Sequence, residues 1–224
     1  MTTNQHVAID SKPRRGFFKR IAAGAVALGL PALAAVPARA AAGSEDGPDW
    51  PGELKGRHRQ VVDAYAANNG FPLAFAYSFV ATNGPATAGS VPATAVMVLR
   101  HEALPLALND AVWQRYKIGQ SLNILDPEFK APATKNPFLA PKLGVLLVDD
   151  MAIDRLLANG AVIGACNIAL KVLSSKLAQN GGVSAEEAAK EWAANVIPGI
   201  TVIPSGTWGL NRAQERGCTY CSGG

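Results

Sequence analysis

Short apolar runs alternate with segments of helical spacing along this chain, and this alternation is the strongest constraint on its fold. The runs AVIGA (161–165) and GITVI (199–203) are each followed by a longer segment of helical character. Short, continuous apolar strands that alternate with helices are typical of a parallel sheet covered by helices on both faces. The sequence therefore predicts an α/β fold, a three-layer sandwich around a mostly parallel sheet of about five strands.

Capping residues and prolines set the boundaries of the predicted elements. Ser184 with Glu187 forms a capping-box pattern, and Ser205 caps a helix that ends at Gly217. Four prolines predict a long loop at 126–143, and composition predicts another at 82–94. The predicted strands are 72–81, 95–100, 144–148, 161–165, 199–203 and 218–222. The predicted helices are 57–69, 109–122 (capped by Asp110), 149–160, 167–180, 184–196 and 205–216.

The N-terminal 40 residues have the pattern of a bacterial export signal. Arg14 and Arg15 resemble a twin-arginine motif, an apolar run occupies 21–36, and ARA (38–40) has the form of a cleavage site. The apolar run is shorter than the roughly 20 residues that a membrane-spanning helix needs. We therefore expect a periplasmic protein without a stable membrane anchor after cleavage. Its expected parts are a signal peptide (1–40), a linker (41–55) and an α/β domain (56–224).

Removal of this segment changes the charge of the protein. The whole chain has 21 Lys and Arg against 17 Asp and Glu, a net charge of +4, but residues 1–40 hold six of the bases and one of the acids. The remainder has a net charge of about −1, which does not favour nucleic-acid binding. The twin-arginine pattern implies export in the folded state, which favours a bound cofactor or partner without identifying one.

Several candidate site residues follow predicted strands, and the carboxyl ends of parallel strands share one edge of a sheet. Cys166 lies between a strand and the helix that begins near Asn167, a position that favours the thiolate form of a cysteine. Arg100 and His101 follow another strand and are candidates for binding an anion. We therefore expect these side chains to share one pocket, with Cys166 as the reactive group.

The start of the helix after strand 199–203 faces the same edge. Ser205 and Thr207 lie in its first turn, where backbone N–H groups bind anions, and Trp208 is a candidate to flank the site. The predicted binding residues are thus Arg100, His101, Asn167, Ser205, Thr207 and Trp208. Plainer roles stay open, namely a small buried residue for Cys166, a helix cap for Ser205 and a core residue for Trp208.

The other two cysteines lie in the last segment, GCTYCSGG (217–224). A haem attachment motif is excluded because Ser222 stands where a histidine is needed, and three thiols with one well-placed histidine make a poor zinc site. In a strand, Cys218 and Cys221 face opposite sides with Cα atoms about 10 Å apart, too far for a disulfide, whereas a frayed turn permits one. They are either resolving thiols for Cys166 or small strand residues. The sequence predicts no metal site and leaves the cofactor unknown.

The stretches 156–170 and 197–220 resemble the DsrE/DsrF-like family. The features that carry the resemblance are Cys166 at a helix start, Pro198-Gly199, Pro204-Ser205-Gly206, Arg212-Ala213-Gln214 and Tyr220. The resemblance implies a three-layer α/β fold, a homo-oligomer or a protein partner, and sulfur carried as a cysteine persulfide. Better understood members of the family act in the cytoplasm, and this chain differs from them in its export signal and in Cys218 and Cys221.

These observations lead to two functional expectations. The first is a periplasmic sulfur- or thiol-handling protein that uses Cys166 as a persulfide or thiolate carrier. The alternative is a non-catalytic ligand-binding or scaffold subunit of an exported complex, which holds a ligand or a partner in the same pocket. The sequence shows no acid/base pair, nucleotide-binding loop or full metal motif that would indicate an ordinary hydrolase or dehydrogenase. Whether the protein is an enzyme stays open at this point.

Overall fold

A five-stranded parallel sheet forms the centre of the molecule. The computed structural model describes residues 48–84 and 92–224, so the predicted signal peptide lies outside the described residues. The spatial order of the strands is β4-β3-β2-β1-β5, and every neighbouring pair is parallel. The strands are β1 (His58–Ala64), β2 (Ala93–Leu99), β3 (Val162–Cys166), β4 (Ile200–Ile203) and β5 (Thr219–Ser222). This is the α/β architecture that the alternation predicts.

Helices cover both faces of the sheet. The α-helices of the described residues are α1 (Phe71–Asn83), α2 (Asp110–Arg115), α3 (Ile118–Ser121), α4 (Ile153–Ala158), α5 (Asn167–Gly181), α6 (Ala185–Ala194) and α7 (Gly206–Glu215). Single 3₁₀ segments lie at Asn68–Gly70, His101–Ala107 and Asp149–Met151. The larger core lies between one face of the sheet and helices α1 and α5. The smaller core lies between the other face and α7. The two cores confirm the three-layer arrangement.

Six elements follow the prediction closely. Strands β2, β3 and β4 and helices α5, α6 and α7 lie within two residues of their predicted bounds. Ser184 and Glu187 form the predicted capping box, and the Ser205 Oγ accepts a hydrogen bond from the Trp208 N–H at 3.1 Å. The segment 126–143 contains no helix or strand, as its prolines require. These elements were predictable because their caps and β-branched runs are local signals.

The predicted helix at 57–69 is wrong, because this segment contains strand β1. Val61 is fully buried in the smaller core and Val62 in the larger core, so both faces of this strand are covered. A strand covered on both faces lacks alternation between apolar and polar residues, and the apolar spacing of 57–69 therefore fits a helix equally well.

The predicted strand at 72–81 is also wrong, because this segment lies in helix α1. The helix starts after Gly70, whose φ of +84° favours glycine, and Pro72 occupies its first turn. Leu73 and Ala76 are buried at helical spacing, whereas the aromatic Phe75 is 37% exposed. The other aromatic residues of this run, Tyr77 and Phe79, are partly buried against the larger core, so the run is a helix with aromatic side chains on more than one side.

Three further elements differ from the prediction. The predicted helix 149–160 is a 3₁₀ segment at Asp149–Met151 followed by the shorter helix α4. The segment 144–148 forms bends instead of a strand, with Leu147 77% exposed. The predicted helix 109–122 is divided into α2 and α3, because Lys117 between them has a left-handed φ of +51°. Its N-cap is Asn109 rather than Asp110, since the Asn109 side chain accepts a hydrogen bond from the Val112 N–H at 3.3 Å.

The packed domain extends into the predicted linker. Trp50 and Leu54 are 4% and 5% exposed and belong to the smaller core. The Arg216 guanidinium pairs with the Asp49 carboxylate at 2.7 Å and so joins this segment to the end of α7. The packed structure therefore includes residues 49–54, although their Pro/Gly-rich composition is typical of a linker.

Candidate functional site

The register of the sheet brings the predicted site residues together. Leu99 pairs with Ala165 in neighbouring strands, so Arg100 and Cys166 come next on adjacent strands, about 4.8 Å apart in the sheet. Cys166 in turn pairs with Ile203, and the chain then leads through Ser205 into α7. The carboxyl ends of β2, β3 and β4 thus place three different loops around one point.

A cavity of about 370 Å³ opens at this edge. It is lined by Arg100, His101, Glu102, Cys166, Ile168, Ala169, Val172, Leu173, Lys176, Ser205, Gly206 and Thr207. Five of the predicted site residues therefore share one cavity, as the strand-end argument predicts. Its volume falls within the range of small-molecule sites, about 300–1,000 Å³.

Cys166 lines the cavity and caps helix α5. The residue is 6% exposed, and its Sγ accepts a hydrogen bond from the Ala169 N–H at an N···S distance of 3.3 Å. This N–H belongs to the first turn of a helix of 15 residues, where the helix dipole is positive. The donor is thus placed to stabilise negative charge on the sulfur atom.

Arg100 is held by an ion pair that the sequence did not predict. Its Nε and Nη2 donate to the two carboxylate oxygens of Asp63 at 2.6 and 2.9 Å, a bidentate contact. Asp63 is 4% exposed at the end of β1. These contacts raise the pKa of Arg100 above its ordinary value, mainly through the hydrogen bond to Asp63. The guanidinium is therefore directed towards Asp63 on β1, although Arg100 is also one of the residues that line the cavity.

Aromatic side chains complete this ionic cluster. The Tyr220 hydroxyl, from β5, donates to the Asp63 carboxylate at 2.9 Å, which raises the pKa of Tyr220 because the bond needs the neutral phenol. The Tyr65 ring lies 4.8 Å from the Arg100 guanidinium and makes an edge contact with His101 at 5.4 Å. His101 has a positive φ of +46°, an unusual backbone conformation for a histidine. The cluster thus joins the C-terminal strand to the rim of the cavity.

Gly206 allows α7 to approach Arg100 closely. A Cβ atom at this position would lie 2.6 Å from the Cδ and 2.8 Å from the Cβ of Arg100. Real Cβ atoms do not approach other atoms so closely, and so only glycine fits beside the Arg100 side chain here. The Pro-Ser-Gly sequence at 204–206 therefore serves to place the start of α7 against the cavity wall.

Four of the predicted residues lie outside the cavity. Asn167 opens α5 without lining the cavity, and the Trp208 ring packs against the smaller core, 6.4 Å from the Trp50 ring. Cys218 directly precedes β5 and is buried in the smaller core, whereas Cys221 contacts the larger core. The two thiols therefore face opposite sides of the sheet, as predicted. All three cysteines are free, and β5 lies three strands, about 14 Å, from β3.

Several contributors to the site were missed in the sequence. Asp63 and Tyr65 escaped notice because their segment was predicted as a helix, although an acidic residue after a buried Val-Val pair was a usable signal. Ile168, Val172 and Lys176 line the cavity at a spacing of four residues, which places them on one face of α5. The spacing could be read from the sequence, but the sequence did not show that this face of α5 borders the cavity.

The part of the chain that the structure describes contains no cluster of three or more His, Cys, Asp and Glu residues able to hold a metal ion. None of the helices in residues 48–84 and 92–224 has both the length and the apolarity needed to cross a bilayer.

Comparisons with protein-family models, with curated proteins and with solved structures found no match. Fold and site together define a parallel α/β protein with a cysteine-containing cavity at the carboxyl edge of its sheet. Its family membership and its oligomeric state stay predictions.

Proposed function

We propose that this chain is a thiol- or sulfur-handling protein, related to the DsrE/DsrF-like family, that uses Cys166 as a nucleophile and sulfur carrier. The observation that carries the proposal is the position of Cys166, at a helix start and inside a cavity of ligand size. A buried cysteine that serves only packing does not need an adjoining cavity. Ser205 and Thr207, at the start of α7, line the same cavity and add polar groups to it.

The chemistry that fits this site is transfer of a sulfane sulfur. The Cys166 thiolate attacks the terminal sulfur of a donor persulfide, a new S–S bond forms, and the S–S bond of the donor breaks. The electron pair of the broken bond leaves with the donor as a thiolate, so no external oxidant or reductant is consumed. The Ala169 N–H would stabilise the Cys166 thiolate before the attack. The persulfide formed on Cys166 would then pass its terminal sulfur to an acceptor thiol by the same exchange.

A non-catalytic ligand-binding or scaffold role is the second candidate. The 6% exposure of Cys166 favours it, because a thiol of such low exposure can also be a small packing residue. In this role the cavity would hold a ligand without reaction at sulfur. The two functions therefore differ in the reactivity of Cys166 in the folded protein.

Alkylation by iodoacetamide separates the two functions. We expect Cys166 to react with iodoacetamide faster in the folded protein than in the unfolded chain, because the Ala169 N–H and the start of α5 are placed to stabilise negative charge on its sulfur atom. Burial raises the pKa of Cys218 from 9.0 to about 11, so its alkylation at pH 8 is expected to be about 100-fold slower than that of an unperturbed thiol and to accelerate up to about pH 11. Mass spectrometry of peptides assigns each label, and Cys221 is the internal reference.

A sulfur donor then tests the carrier role directly. Treatment with polysulfide should add the mass of one sulfur atom to Cys166, and the variant Cys166→Ser should lose this adduct while Cys221→Ser retains it. No reaction of Cys166 with iodoacetamide or polysulfide in the folded protein would leave the scaffold role as the better description.

Export by the twin-arginine route is part of this proposal and concerns residues outside the described ranges. We expect the double variant Arg14→Lys/Arg15→Lys to accumulate as an uncleaved precursor in the cytoplasm, because this route depends on the arginine pair. Fractionation and the N-terminal mass measure this outcome, and the wild-type protein should start near residue 41. Undiminished periplasmic protein in the double variant would contradict the assignment.

A further inference from the structure

The wall that α5 contributes to the Cys166 cavity is apolar and open. Ile168 and Val172 are 58% and 59% exposed, and both line the cavity together with Ala169 and Leu173. Apolar side chains that line a concave site gain free energy when a ligand removes them from water. A small inorganic sulfur species would leave most of this wall uncovered. The wall therefore fits a ligand with an apolar body.

The charged side chains around the cavity differ in whether they are already paired within the protein. Asp63 already pairs with the Arg100 guanidinium, and the His101 ring lies against Tyr65. Lys176 has no ion-pair partner among the described residues and lines the same cavity. Glu102 is the acidic residue of the lining, and it also borders a second, smaller cavity beside Asn123. Lys176 is thus the cation of the lining that is free to meet an anionic ligand, and Glu102 is an acidic group that such a ligand has to avoid.

The distance between Lys176 and Cys166 sets the length of such a ligand. The two residues are ten positions apart, which corresponds to about 15 Å along a helix axis. Side chains on helices lean towards the N-terminus, so the ammonium group of Lys176 lies nearer to the thiol than the separation along the axis alone indicates. The apolar wall occupies the turns between them. The cavity therefore presents a thiol, an apolar stretch and a cation in this order.

We propose that the ligand of this cavity is an organosulfur compound whose apolar body lies on α5 and whose anionic group pairs with Lys176, with its reactive sulfur at Cys166. This assignment rests on the proposed function, because it places a sulfur atom against the Cys166 thiol. It excludes inorganic sulfur and cationic thiols as the preferred ligands. An aromatic disulfide that carries carboxylates has the features required and serves as a probe.

The reaction with such a probe is a balanced exchange. The Cys166 thiolate attacks one sulfur of the disulfide, a mixed disulfide forms on Cys166, and the other half leaves as a thiolate with the electron pair of the broken bond. With 5,5′-dithiobis(2-nitrobenzoate) the released thiolate absorbs visible light, which gives the rate. The neutral 4,4′-dithiodipyridine, the small bis(2-hydroxyethyl) disulfide and the cationic cystamine complete the series. The background variant Cys218→Ala/Cys221→Ser confines the reaction to Cys166, and peptide mapping of the wild-type chain checks this assignment.

Substitution of Lys176 gives the sharpest test. We expect Lys176→Gln to lower the rate with the dicarboxylate probe by about threefold or more, because one free charge near the site attracts the anion, and to leave the rate with dithiodipyridine unchanged. Lys171→Gln is the matched control, because Lys171 lies on the same helix and does not line the cavity. Glu102→Gln should raise the rate with the dicarboxylate probe.

Substitution of Val172 tests the apolar wall. We expect Val172→Ser to slow both aromatic probes and to leave bis(2-hydroxyethyl) disulfide unaffected, while Leu147→Ser, at an exposed apolar position outside the cavity, changes none of them. Equal effects of the Lys176 and Lys171 variants, or a preference for cystamine, would overturn the ligand assignment alone. Failure of Cys166 to react with every disulfide, including the smallest, would instead overturn the proposed thiol function.

Discussion

The variant Arg100→Met is expected to lower the free energy of unfolding by about 3 kcal/mol, because it leaves the buried Asp63 carboxylate without its bidentate partner. Methionine keeps most of the aliphatic volume against Gly206, so lost packing contributes little. Asp63 would retain the Tyr220 hydroxyl as a donor, but this neutral group cannot balance a buried charge. Urea denaturation followed by circular dichroism measures the change, and an unaltered slope would show that the folded state is otherwise intact.

The control for this prediction is an ion pair at the surface. Arg155 meets Asp150 at 3.5 Å with both side chains substantially exposed, so Arg155→Met is expected to cost less than about 1 kcal/mol. The double variant Asp63→Asn/Arg100→Met should recover part of the loss, since it removes the unpaired charge. Equal costs for Arg100→Met and Arg155→Met would mean that the buried pair contributes no more to stability than a surface contact.

The fold was predictable from the sequence where helix caps and β-branched runs by themselves identify the element. Helices α5, α6 and α7 carry their own caps, and strands β2, β3 and β4 are short β-branched runs, so their bounds follow from nearby residues. The first two elements were exchanged because β1 is buried on both faces and α1 is rich in aromatic residues. In both cases the tertiary contacts of the segment decide whether it forms a strand or a helix, and these contacts cannot be read from the residues of the segment alone.

The candidate site was predictable by the rule that polar residues after parallel strands meet at one edge. Cys166, Arg100, His101, Ser205 and Thr207 converge as this rule requires. The rule could not show that the Arg100 charge is committed to Asp63, because that contact depends on the strand assignment of 58–64 and on the position of β5 beside it. Side-chain pairing across strands follows from strand order, and no local pattern specifies the order β4-β3-β2-β1-β5.

The variant Gly119→Ala is expected to destabilise the protein by about 3 kcal/mol, because the new methyl group would overlap the backbone of the loop 126–143. A Cβ atom at Gly119 would meet the carbonyl oxygen and the amide nitrogen of Ala133, far inside van der Waals contact. This loop cannot move away cheaply, because Ala133 donates to the Ile124 carbonyl at 2.9 Å and the buried Asn136 amide donates to the carbonyls of Leu106 and Leu108.

Gln120→Ala is the matched control for the glycine substitution, since it lies next to Gly119 in α3 and points to solvent. It should change stability by no more than about 0.5 kcal/mol, as surface substitutions away from special contacts usually do. The midpoint of urea denaturation distinguishes the two variants, and the same stability for both would show that the loop yields to the added methyl group. The Cys166 cavity lies on other elements, so thiol reactivity per folded molecule should be equal in Gly119→Ala and the wild type. A loss of reactivity without a loss of stability would instead mean that the proline-rich loop acts on the cavity through the 3₁₀ segment His101–Ala107, because Asn136 of the loop donates to the Leu106 carbonyl and His101 lines the cavity.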